Sequence, residues 1–240
     1  MMSFNQFLVE KEIDMKHFHN LANIWGDDGM IPVYRRVAKL HNELKEHYKI
    51  HNKEAIDNIR HYTHNGYERI NGQLWDDHHS SLSHRLADHG KDVHLYNDTK
   101  HTIDNIQETL HRYKTPKPMS VYSSITKPLV PNESKIYHHA GFLSTSIDHM
   151  PLGTYTKGIS KSSKNPDGSF IHEVHYHTLR IKVPKDHPGM YVDHFSENEG
   201  EKEFILPHGT NLKHIHTTLF TEKNKYKKTF RHYHTMSIVK

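Results

Sequence analysis

The sequence predicts an α+β fold, a helical N-terminal lobe packed on a two-sheet, mostly antiparallel β core. Two observations carry that reading. Through residue 114, Pro32 is the only proline and apolar residues recur at helical spacing. From residue 115 onward prolines stand at 116, 118, 128, 131, 151, 166, 184, 188 and 207, with short β-type runs between them. The parts 1–114 and 115–240 are expected to form one domain, with the helices laid on the sheets.

In the first part, Leu40, Leu44 and Tyr48 with Ile50 or His51 fall three to four apart, as do Ile56, Ile59 and Tyr62, and again Ile103, Ile106, Leu110 and Tyr113. Asn65-Gly66 and Asn71-Gly72 read as breaks between helices. Residues 76–100 are polar and carry no clear period. In the second part the strand runs are MSVYSSI, KIYHHAGFLSTSI, VHYHTLRIKV, GMYVDHF, EFILP, LKHIHTTLF and KTFRHYHTMSIV. The Gly-, Ser- and Lys-rich stretch 153–169 reads as a mobile loop. The lysine-rich end EKNKYKKTFRHYH reads as a solvated hairpin.

Composition excludes some classes of function. The chain of 240 residues has no cysteine, so disulfides and thiolate chemistry are out. No apolar run reaches the roughly 20 residues that span a bilayer, and the start MMSFNQFLVEKEIDMK lacks the apolar centre of a secretory signal. A cytoplasmic location, in a host or target cell, is therefore expected. The formal charge of +4 is too small to argue for nucleic acid by itself. Histidine is abundant at 27 residues. The pairs His47/His51, His138/His139, His214/His216 and His232/His234 and the cluster His172/His175/His177 each offer imidazoles to a metal. With no cysteine and few carboxylates at ligand spacing, dispersed surface histidine is the better reading, and no metal is expected. Trp25 and Trp75 read as packing residues.

Three features of the second part carry chemistry: MSVYSS at 119–124, GFLSTS at 141–146 and EGEKEFILPHGT at 199–210. Singly, a Ser-Thr-Ser is most often a polar strand edge and a Glu-x-Glu a solvated strand face. On a strand, Glu201 and Glu203, two apart, project to one side. The order of these elements, with AIDNIRHYTHNGYERINGQLW upstream and LRIKVPKDHPGMYVDHFSENEGEKEFILPHGTNLKH downstream, resembles the ADP-ribosyltransferase exoenzyme family over roughly residues 50–220. That family includes clostridial binary-toxin enzymes and phage-encoded transferases.

The resemblance implies NAD as co-substrate, a glycosyl transfer of ADP-ribose to a target protein, and a set of roles. Glu203 is the catalytic carboxylate beside the ribose. Ser144 holds Glu203, and Glu201 faces the acceptor, where a glutamate goes with arginine. Tyr122, Ser123, Ser124, Thr145, Ser146 and Asn71 line the dinucleotide site. The turn from Phe195 to Gly200, with Phe195 and Glu199, contacts the target. The loop 148–163 lies over the dinucleotide, where Lys157, Lys161 and Lys164 reach it. The chemistry suits such a site, because loss of neutral nicotinamide leaves an oxocarbenium-like ribosyl cation and requires no general acid.

The sequence departs from the family at two cations. Ser123 stands where an arginine on the first core strand clamps the phosphates, and Trp75 stands where a second arginine follows Leu74. A charge-assisted contact contributes about 1.5–3 kcal/mol, and three explanations stand open: a substitute cation such as Arg36, Arg85, Lys127 or a loop lysine, a donor other than ordinary NAD, or a degenerate relative that binds without turnover. The alternatives are a non-catalytic binding module of the same fold, a basic interaction protein whose histidines bind metal or respond to pH, and modification of a nucleic acid.

Overall fold

The computed structural model describes residues 30–79, 93–125, 135–148, 158–164, 170–196, 200–223 and 227–239. Among them, helices α1 (Met30–His47), α2 (Lys53–His61), α3 (Tyr67–His79) and α4 (Val93–Arg112) precede all the strands. The apolar spacing buries one face of each: Leu44 and Tyr48 in and just beyond α1, Ile59 in α2, Ile70 in α3, and Ile106 and Leu110 in α4. Asn52 caps α2, its side chain accepting from the Ala55 N–H at 3.3 Å.

Neither expected helix break occurs. Residues Tyr62–Gly66 form a π turn that runs from α2 straight into α3. Gly66 serves close approach there, since a Cβ at that position would lie 2.6 Å from the His61 carbonyl oxygen. Asn71 and Gly72 lie within α3; the Asn71 side chain bonds to distant backbone, and Gly72 faces open space, so its helix penalty of about 1 kcal/mol is tolerated. The aperiodic stretch 76–100 contains the start of α4, which begins at Val93.

The strands are β1 (Met119–Ile125), β2 (Ile136–His139), β3 (Leu143–Ser146), β4 (Ile159–Lys164), β5 (Phe170–Val183), β6 (Met190–Tyr191), β7 (Glu203–Leu206), β8 (Thr210–Lys223) and β9 (Lys227–Val239). Their order is β2-β8-β9-β5-β1-β3-β7-β6, with β4 also on β5, and every pairing is antiparallel except β5–β9. The two sheets expected are thus two arms of one hydrogen-bonded path. A single register pair, Tyr122↔Ser146, joins β1 to β3, and the Ser123 hydroxyl reinforces it by donating to the Ser144 carbonyl at 3.0 Å. The run KIYHHAGFLSTSI divides into β2 and β3, because Asn71 holds the Phe142 backbone from both sides and Gly141 passes where a Cβ would lie 2.7 Å from Asn71 Oδ1. Part of the expected loop 153–169 is strand: β4 pairs with the Phe170–His175 half of β5, the edge that β1 leaves open.

The core lies between the helices and the sheet. Tyr48, Tyr62, Phe142, Tyr191 and Phe204 are among its largest fully buried side chains, each stabilising by about 1.5–3 kcal/mol on burial. The histidines are not all dispersed on the surface. His175 and His177 on β5 interleave with His232 and His234 on β9 as a stacked ladder, with ring centroids 4.3–5.3 Å apart. Nitrogens of His175 and His232 lie 3.1 Å apart, and those of His177 and His234 3.0 Å. The parallel register sets His177 beside His232 and staggers the two His-x-His segments by two residues, so His175 and His234 flank that pair in the stack. Burial pushes His177 down to about 4 and His234 to about 3. Among the described residues no cluster of His, Asp or Glu has metal-binding geometry, and no described helix is long and apolar enough to cross a membrane.

Candidate active site

The junction of the two arms forms a cleft of about 450 Å³, within the size range of small-molecule sites. Ser144 and Glu203 meet there. In the β3–β7 register Ser144 opposes Ile205, so it lies diagonal to Glu203 on the same face. Its hydroxyl donates to Glu203 Oε1 at 2.5 Å. Glu203 is only 6% exposed, and burial pushes its carboxyl up to about 7. The Ser144 bond works in the opposite direction, and the nearby Glu201 and Asp193 raise the value further.

Glu201 lines the same cleft, although not by strand alternation as the sequence suggested. β7 begins at Glu203, and Lys202 between the two glutamates is left-handed, with φ +52°. Local bonds fix this bend. Asp193 Oδ1 accepts from the backbone N–H of Gly200 at 3.1 Å and of Lys202 at 2.6 Å. The Lys202 ammonium donates to Asp148 at 2.8 Å, and the Ser146 hydroxyl donates to the Glu201 carbonyl at 2.7 Å. Asp193 and Asp148 were not singled out from the sequence, because nothing about an isolated aspartate reveals that it holds a bend several residues away.

Tyr122, Ser123, Ser124, Thr145, Ser146 and Asn71 all line the cleft. Four of them also brace the walls, Ser146 through the Glu201 carbonyl as above. Thr145 donates to the Phe204 carbonyl at 2.5 Å. Asn71 donates to the Phe142 carbonyl at 3.3 Å and accepts from its N–H at 2.9 Å, so it positions β3. Ser123, 8% exposed, ties β1 to β3 as described. Tyr62, Thr63 and His64 of the π turn and Tyr67 at the start of α3 also line the cleft. Tyr62 and Thr63 lie in a segment that carries the family resemblance, but only the geometry brings them into the site. Burial pushes the Tyr62 phenol far above its ordinary range.

Among the described residues lining the cleft there is no Lys or Arg. Of the expected substitute cations, Arg36 lines a different cavity and Lys161 and Lys164 lie in β4. Arg85, Lys127 and Lys157 lie outside the described residues, as does most of the 148–163 loop. Trp75 packs edge-on against His139, with ring centroids 5.6 Å apart, and does not line the cleft. In the turn expected to meet the target, Phe195 is 9% exposed and belongs to the core, with its carbonyl accepting from Arg60 at 3.1 Å. Its ring is therefore not presented to a partner. Glu199 lies outside the described residues.

A helical lobe laid on a mostly antiparallel sheet, with a serine-held glutamate at the junction, is the architecture of an ADP-ribosyltransferase. The ADP-ribosyltransferase exoenzyme family matches residues 23–232, and the chain belongs to that family, whose members use NAD. No curated protein sequence matches the chain. Among solved structures, Plx2a, an ADP-ribosyltransferase toxin from Paenibacillus larvae, superposes with a TM-score of 0.58 at 17% identity, over 87% of this chain and 95% of that one. The Clostridium limosum C3 exoenzyme gives 0.57 at 15% identity over 86% and 94%. C3stau2 from S. aureus, solved with NAD, gives 0.56 at 18% identity over 85% and 95%. At these identities the likeness is one of fold.

Proposed function

We propose that the chain is a mono-ADP-ribosyltransferase that moves ADP-ribose from NAD to an arginine of a target protein. The observation that carries this reading is the Ser144–Glu203 hydrogen bond inside a cleft that Glu201 also lines. In the reaction the bond between ribose C1′ and the nicotinamide nitrogen breaks, and its electron pair leaves with neutral nicotinamide. Ionised Glu203, beside the ribose, offsets the positive charge that develops at C1′. NAD assists by bringing a cationic nicotinamide, which favours the ionised carboxylate. A guanidinium nitrogen then forms the new bond to C1′, and Glu201 takes the proton it releases.

In place of the absent arginine, His64 is, among the described residues lining the cleft, the basic side chain assigned to the phosphates. It is exposed on the π turn and lines the cleft. The test is incubation with labelled NAD and either a protein lysate or agmatine, a small guanidine acceptor. Label in a protein or in agmatine, absent with Glu203→Gln, supports the reading. NAD binding without any nicotinamide release would instead favour a binding module, and label recovered in nucleic acid alone would reassign the acceptor.

A further inference from the structure

Tyr122 lines two cavities. One is the Glu203 cleft; the other is larger, about 750 Å³, and lies among α1, β1, β5 and β9. Their charge is opposite. The cleft is lined by two carboxylates and no Lys or Arg, whereas the larger cavity is lined by Arg36, Lys39, Lys117, Arg180 and Lys182 and, among the described residues, by no carboxylate.

The five cations come from three separate elements. Arg36 and Lys39 are one turn apart on α1. Arg180 and Lys182 are two apart on β5 and so share a face. Lys117 stands just before β1. Local bonds orient some of them: the Arg180 Nε–H donates to Ser120 at 3.2 Å, and Glu43 ion-pairs with Lys117 and, at 3.9 Å, with Lys39. Among the described residues, these five cations and the carboxylate of Glu43 gather at the cavity. The remaining wall is apolar, with Val37, Leu40, Met119, Ile147 and Ile238.

We propose that this cavity is a second ligand site, separate from the catalytic cleft, which takes a nucleoside di- or triphosphate. Guanidinium groups recognise phosphate oxygens in a bidentate way, and lysines add point charge. The apolar wall gives a base a surface from which water is displaced. The volume suits a ligand of that size and is small for a folded partner segment. The assignment is independent of the transferase reading, since it uses none of the residues given a catalytic role.

The test is calorimetric titration of the full chain with ATP at low ionic strength. The double variant Arg36→Glu/Lys182→Glu reverses two exposed charges of the cavity. Lys213→Glu/Lys223→Glu makes the same change in net charge at exposed positions outside the cavity lining. The parent is expected to bind ATP, the cavity variant to bind it at least about tenfold more weakly, and the control variant to match the parent within about twofold. Circular dichroism confirms that each variant is folded. No ATP binding by the parent, or equal loss in the two variants, overturns the site. Inorganic pyrophosphate binding as tightly as ATP overturns the nucleotide assignment, and displacement of ATP by poly-glutamate at lower concentration than by ATP itself assigns the cavity to an acidic protein instead.

Discussion

The Ser144 hydroxyl donates to Glu203 Oε1 across a diagonal of the β3–β7 pair, and this one bond opposes the burial that raises the carboxyl to about 7. A carboxylate that works ionised must lose its proton first. In the free enzyme, kcat/KM for nicotinamide release is therefore expected to climb with pH through about 7. Ser144→Ala removes the interaction that lowers the value, so the acid limb should move to higher pH. A pH–rate profile of the parent and this variant checks both statements; an unmoved limb would sever Ser144 from the ionisation of Glu203.

Glu203→Gln should reduce nicotinamide release, with or without acceptor, on the order of a hundredfold or more. It should also stabilise the free protein at alkaline pH. The folded carboxyl value lies above its unfolded value of 4.5, so folding is favoured below 4.5 and that contribution is lost as pH rises through about 7. The difference corresponds to about 3 kcal/mol. Thermal melts at pH 8 should place the variant above the parent, and the gap should close toward pH 5.

Glu201→Gln should impair transfer to arginine or agmatine more than it impairs NAD hydrolysis, because Glu201 is assigned to the acceptor. Parallel assays of label transfer and nicotinamide release measure the split. Equal loss of the two would contradict the assignment.

His64→Ala should weaken NAD binding by about tenfold, as for loss of a charge-assisted phosphate contact. His64→Arg should restore or improve it. Titration calorimetry with NAD on the Glu203→Gln background measures binding without turnover. Parent-like affinity in His64→Ala would send the search for the missing charge to residues outside the described set.

The histidine ladder predicts acid sensitivity. The folded values of His177 and His234 lie below the ordinary 6.5, so the unfolded chain binds protons that the folded chain refuses. Their contribution is whole above 6.5 and is lost as pH falls toward about 4 and about 3. Urea midpoints should fall between pH 7 and pH 4.5, and more shallowly in His177→Gln/His234→Gln.

The helical lobe, the α+β order and the Ser144–Glu203 pair were legible because they rest on local period and on a motif of fixed order. The remainder was hidden for physical reasons. Asn65-Gly66 looked like a break because glycine serves close approach and chain reversal alike, and only the His61 carbonyl decides between them. Glu201 looked like a strand residue because nothing local announces a left-handed Lys202 held by Asp193. Phe195 looked available because sequence does not reveal burial in a turn. The imidazole ladder needs the parallel register of two strands 55 residues apart, which no window of sequence contains.

That same register bears on how the polypeptide is made. During synthesis β5 emerges after β1, β3 and β4, and it can pair at once with β1 and β4. Its other edge, from His172 to Lys182, must await β9, which reaches it only as part of a hairpin with β8. Until then the nascent chain carries a long strand edge with open backbone groups, the kind of surface that recruits other chains. That edge carries His172, His175, His177, Arg180 and Lys182, and charged or polar side chains at an edge discourage such recruitment while the hairpin is still being translated.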